Sequence, residues 1–98
     1  MKITKNLNGD QLDVVLEGRL DTTTAPELEN ELKASIDNVK NLVFDFAKLE
    51  YISSAGLRTL LFAKKALHNK GTVKVVNANE IVKEVFEVTG FCDLIDIE

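Results

Sequence analysis

Apolar and polar positions alternate from the start of the chain. Met1 to Leu7 reads as a first strand, and Asn8-Gly9-Asp10 after it is a hairpin turn signal. Leu12, Val14 and Leu16 then alternate with Gln11, Asp13, Val15 and Glu17, which predicts a strand with one buried face. Gly18 to Asp21 breaks that period. Thr22, Thr23 or Thr24 can cap a following helix, with Pro26 in its first turn and Glu27 and Glu29 near the positive end of its dipole. Ala25, Leu28, Leu32 and Ile36 recur at helical spacing, and Glu29, Asn30, Lys33 and Asp37 form the solvated side.

The second half repeats the theme. Leu42-Val43-Phe44-Asp45-Phe46 is nearly continuous in apolar character, as suits a central strand covered on both faces. A helix is expected from about Ser54 to Asn69, closed by Gly71 as a C-terminal cap, with Gly56, Leu60, Ala63 and Leu67 as its inner stripe. Val73, Val75 and Val76 make a short strand. Glu80 to Val88 reads as a third helix, with Ile81, Val85 and Val88 inward and Gly90 as its stop, and Leu94 to Ile97 as a last edge strand. The order ββαβαβα, with a short strand at the end, predicts an α/β fold. Its sheet should be mixed and mainly parallel, with the first two strands as an antiparallel hairpin.

Length allows one domain, residues 1–98, with no linker, repeat or low-complexity segment. The net charge of −4, from 12 basic and 16 acidic residues, argues against nucleic acid or an anionic membrane as partner. No apolar run approaches the length of a signal peptide or a membrane span, and the one cysteine cannot form an internal disulfide. A reducing, cytoplasmic setting is the expectation.

Candidate chemistry is sparse. Glycine-rich phosphate loops and the nucleophile elbow are absent, so an enzyme is not expected, nor a cofactor. His68 has no second ligand cluster for a metal and is expected near an exposed helix end, and Cys92 as a small buried residue. Asp21 and Asp45 are either a functional carboxylate pair at strand ends or a turn residue and a strand-end residue bonded to amides. Ser53 and Ser54 stand between a central strand and a helix start. Serine there is a good N-cap. The same place is a natural anion site, because free amides and the helix dipole favour negative charge by ~0.3–2 kcal/mol. Gly56 keeps the first turn uncluttered and lets another backbone approach.

Taken together, Gly18-Arg19-Leu20-Asp21, Asp45 and Tyr51-Ile52-Ser53-Ser54-Ala55-Gly56-Leu57 resemble the STAS domain, shared by anti-sigma factor antagonists and the cytoplasmic tails of sulphate transporters. The resemblance runs from Ile3 to Ile97. It implies a single STAS domain with four to five strands and three or four helices.

A lone STAS domain of this size implies an anti-sigma factor antagonist. Unphosphorylated, such a protein binds an anti-sigma factor that is also a serine kinase, and so frees a sigma factor. The kinase phosphorylates one motif serine from ATP, binding is lost, and a phosphoserine phosphatase resets the cycle. The matching acceptor is Ser54. Ser53 stands where the best-known members carry Asp. Asp21 is expected near Ser54, and Leu57, Arg58, Leu61 and Phe62 are candidates for the docking face, Leu57 and Leu61 equally for the core. Phosphorylation adds about −1.5 to −2 charges. Forcing that charge into a packed contact costs ~2–5 kcal/mol, at least about thirtyfold in affinity. Two other classes stay open: a constitutive STAS binding or scaffold module of a stress-signalling complex, and a small enzyme or nucleotide-binding protein. The free chain is expected to be a monomer.

Overall fold

A computed structural model describes residues 1–98. Strand β1 (Lys2–Asn8) turns through Gly9 and Asp10 into β2 (Gln11–Leu20), and Asn8 faces Gln11 across the two-residue loop. Gly9 takes φ +62°, a left-handed value that glycine adopts without a Cβ penalty. Helix α1 (Ala25–Ser35), β3 (Asn41–Ile52), α2 (Ser54–Ala66), β4 (Thr72–Val76), α3 (Glu80–Thr89), a 3₁₀ turn at Phe91–Asp93 and β5 (Asp96–Ile97) complete the chain. The sheet order is β1-β2-β3-β4-β5, with the first pair antiparallel and the rest parallel. The α/β architecture, the mixed and mainly parallel sheet and the three helices agree with the expectation.

The core lies on one side of the sheet. Leu12, Val14, Leu16 and Leu20 from β2 join Leu42, Phe44 and Phe46 from β3 and Val73 and Val75 from β4. The apolar sides of all three helices enter the same cluster. Val43 and Asp45, between the buried positions of β3, remain half-buried. The expectation that Leu42–Phe46 would be covered on both faces is therefore corrected: burial alternates, and the second face stays open.

Strand β3 is also much longer than Leu42–Phe46. Its buried positions advance by two through Phe46 and then by three, to Leu49 and Ile52. The register against β2 shifts twice in the same stretch, from Val15↔Asp45 to Glu17↔Lys48 and from Gly18↔Leu49 to Arg19↔Tyr51. Each shift inserts one extra β3 residue, a bulge that returns the next apolar side chain to the core. On the facing strand, Gly18 has φ +104°.

Three local expectations change. Helix α2 ends at Ala66, and the chain reverses through Asn69 at φ +63°. Gly71 is not the cap: a Cβ there would overlap the Lys40 carbonyl, which accepts from the Thr72 amide at 2.8 Å. In α3 the inward residues are Val82 and Phe86, whereas Ile81 and Val88 are 60% and 80% exposed and Val85 is half-buried. Phe86 stacks on Phe46 at 6.3 Å between ring centroids, and this aromatic contact sets the helix's rotation. Gly90 does end α3, in the left-handed region. Cys92 is exposed rather than buried, while His68 is exposed just beyond α2.

Candidate functional site

The ends of β2 and β3 and the start of α2 form one junction. The Ser53 amide donates to the Leu20 carbonyl at 2.9 Å, tying the two strand ends together just before the helix. Ser53 is the N-cap: its backbone is extended, its carbonyl accepts from the Leu57 amide at 3.0 Å, and its hydroxyl accepts a long bond of 3.5 Å from the Gly56 amide. Ser54 is the first helical residue. It is exposed, and its hydroxyl makes no hydrogen bond within the chain. The two serines thus occupy different positions: one closes the helix, the other presents a free hydroxyl at the positive end of its dipole.

Gly56 is buried between α2 and the sheet. A Cβ there would lie 2.7 Å from Leu20 Cγ and 2.8 Å from Ile52 Cγ1. The close approach that glycine permits is that of the protein's own strands, not of another backbone from outside. Thr59 is also buried, and its hydroxyl donates to the Ala55 carbonyl at 3.2 Å, so its polar atom is satisfied.

Asp21 organises the turn between β2 and α1. Its Oδ1 accepts from the Thr23 hydroxyl at 2.7 Å and from the Thr23 and Thr24 amides at 3.0 and 3.2 Å. The Thr24 hydroxyl accepts from the Asp21 amide and donates to the Arg19 carbonyl, both at 2.8 Å. Thr24 occupies the N-cap position of α1 without using its side chain as a cap. The Thr23 hydroxyl chiefly, with the Thr24 and Thr23 amides and the Thr24 hydroxyl, holds the Asp21 carboxyl below its ordinary pKa against an opposing cost of desolvation. Asp21 makes no bond to Ser53 or Ser54. It reaches their turn only through the chain, one residue after Leu20. Asp45 accepts from the Ala47 amide at 3.0 Å and the Asn77 side chain at 3.1 Å, so the two aspartates are separate turn and strand residues and not a pair.

The remaining candidates divide along α2. Leu57 is 6% exposed and completes the core. Arg58 is exposed, and Leu61 and Phe62 are half-buried. Ser54, Arg58 and Leu61 follow at steps of four and three, so they share one stripe, with Phe62 beside it. The Lys33 ammonium of α1 lies 5.8 Å from the centre of the Phe62 ring. Near the stripe's start, a shallow cavity of about 290 Å³ runs between α1 and α2, lined by Thr22, Pro26, Glu29, Ala55, Arg58 and Thr59 among others.

The sequence placed Arg19 in the family motif, Thr23 and Thr24 as helix caps and Glu29 on the first helix, but assigned none of them to the site. Arg19 lies 4.6 Å from the centre of the Tyr51 ring and 3.9 Å, Nε to Oδ2, from Asp21. The Asp-Thr-Thr-Thr run was the available signal, since Asp and Thr side chains close local turns of this kind.

Comparison with known proteins agrees with this fold. Residues 2–98 match the STAS domain family model. A Bordetella bronchiseptica protein, BtrV, to which an anti-sigma factor antagonist role is ascribed, is 35% identical over 99% of this chain and 85% of its own length. An anti-sigma factor antagonist structure from Mycobacterium paratuberculosis superposes with a TM-score of 0.89 over 98% of this chain and 83% of that one, at 24% identity. The Bacillus cell fate determinant SpoIIAA, in its phosphorylated form, superposes with a TM-score of 0.78 over 99% of this chain and 91% of that one, at 17% identity. Sequence similarity and element order converge: the chain belongs to the STAS domain family, among the anti-sigma factor antagonists.

Proposed function

We propose that this chain is a phosphorylation-controlled anti-sigma factor antagonist of the bacterial cytoplasm. Its unphosphorylated form binds an anti-sigma factor that is also a serine kinase, and the sigma factor is released. The kinase transfers the γ-phosphoryl group of ATP to the Ser54 hydroxyl oxygen, with loss of the hydroxyl proton and departure of ADP. The phosphorylated chain leaves its partner, and a phosphoserine phosphatase restores it. The stripe of Ser54, Arg58, Leu61 and Phe62 is the docking face. Leu57, Gly56 and Ser53 support it from beneath, and Asp21 holds the neighbouring turn.

One observation carries this reading: Ser54 presents an exposed, unbonded hydroxyl on the first turn of α2 while Ser53 supplies the cap. A group that holds nothing in the fold is free to be modified. The helix N-terminus tolerates the added charge, whereas a partner packed on that turn would have to desolvate it. The relatives described as anti-sigma factor antagonists support the partner class.

The test is phosphorylation by the cognate kinase with ATP, read by mass spectrometry of the intact chain and its peptides. One phosphate on Ser54 is expected, with none on Ser54→Ala. The Ser54→Asp variant should bind the anti-sigma factor at least about thirtyfold more weakly, the affinity equivalent of ~2 kcal/mol. Full modification of Ser54→Ala would move the site elsewhere. An unmodified Ser54, with Ser54→Asp binding as tightly as wild type, would make the chain a constitutive STAS scaffold.

A further inference from the structure

Resting on the assignment of Ser54 as phosphoacceptor, we propose that Arg58 is an internal receptor for the phosphate. Once Ser54 is modified, the Arg58 guanidinium closes on the phosphate one turn along α2 and is no longer free to meet a partner.

The placement is set by the helix. Ser54 is the first residue of α2 and Arg58 lies four positions on. Side chains at that spacing have Cβ atoms about 5–6 Å apart, within reach of a flexible arginine. Helical side chains lean towards the N-terminus, so the Arg58 stem points back over the turn that carries Ser54. An acid preceding a base by four residues is also the favourable order for such a pair. A phosphate offers three strong acceptors, and the guanidinium fork can engage two of them at once.

Arg58 is available for this role. It is exposed and enters none of the chain's six ion pairs. Arg19, also near the strand ends, is already engaged by Tyr51 and Asp21. The carboxylate that shares a cavity with Arg58 is Glu29 of α1, and Glu29 already carries Lys33 at 3.8 Å. In the unmodified chain Arg58 therefore projects as a free cation beside Leu61 and Phe62. In the modified chain one event adds a dianion and occupies that cation, so a partner loses the free guanidinium as well as meeting the phosphate.

The experiment installs phosphoserine at position 54 during translation, so the modified chain is obtained whether or not any kinase recognises it. The ³¹P resonance is then titrated in wild type, Arg58→Gln and Arg58→Lys. Phosphoserine has a second pKa of about 6, and a nearby cation lowers it. The phosphate of the wild-type background should hold its second proton at least about twofold more weakly than that of Arg58→Gln, and the gap should narrow with added salt. Arg58→Lys, which keeps the charge without the fork, should fall between them. Coincident wild-type and Arg58→Gln curves overturn the proposal. A kinase that never modifies Ser54 would instead overturn the switch while leaving this titration intact, so the two failures are distinguishable.

Discussion

The Ser53 hydroxyl accepts from the Gly56 amide, three residues ahead, and this bond closes the first turn of α2 without help from Ser54. Replacing an N-cap serine by alanine removes about 0.5–2 kcal/mol of stability. The bond here is long, so Ser53→Ala should fall in the lower half of that range by urea unfolding. Ser53→Asp restores an acceptor and should recover the loss. Ser54→Ala, which removes no bond, should change stability by no more than about 0.5 kcal/mol.

Gly56 reports on how closely α2 sits against the strands. On helix propensity alone, Gly56→Ala would gain up to about 1 kcal/mol. The new methyl group would meet Leu20 and Ile52 side chains at 2.7 and 2.8 Å, and such overpacking costs about 1–3 kcal/mol. Destabilisation should win. In a double-mutant cycle with Leu20→Ala the two losses should fall well short of adding, because the smaller side chain makes room.

Helix α3 gives a test of rotation. Phe86 is 1% exposed and stacked on Phe46, so Phe86→Ala should cost about 3–5 kcal/mol. Val88 is 80% exposed, and Val88→Ala should stay within about 0.5 kcal/mol. Equal losses at both positions would mean that the helix is turned differently.

Asp21 sets an acid limit on the turn before α1. Its carboxyl is held below the ordinary value of 3.8 in the folded chain, so the unfolded chain takes up its proton first as pH falls. The stabilisation is fully present above the unfolded value. It is lost as pH drops from near 3.8 through the lower folded value. Asp21→Asn should lower the melting temperature at neutral pH. Its difference from wild type should shrink across that acid window, as followed by circular dichroism.

The fold was legible wherever apolar positions kept one period. Leu12, Val14 and Leu16, and Ala25, Leu28, Leu32 and Ile36, point inward as their spacing predicts. The second half of β3 was not legible, because two bulges change the step from two to three and Ala47-Lys48-Leu49-Glu50-Tyr51-Ile52 then resembles no strand template. In α3, Ile81, Val85 and Val88 and the pair Val82 and Phe86 are both plausible helical stripes. Only the tertiary contact with Phe46 chooses between them. At the site, the motif located the serine pair, but local sequence could not say which serine caps. Cap geometry decides that, and it depends on where β3 ends. The free state of Arg58 was equally hidden, since whether a surface cation has a partner depends on neighbours far away in the chain.

The division of labour between Ser53 and Ser54 also bears on how such a protein can change over time. Position 53 answers to the fold, and substitutions there are judged by whether the helix still closes. Position 54 closes no bond in the fold and, on the proposed function, answers to the kinase and the partner. On the proposed function, stability and responsiveness are therefore inherited through different codons, and a descendant could lose or regain its regulation by a single replacement without first having to relearn how to fold.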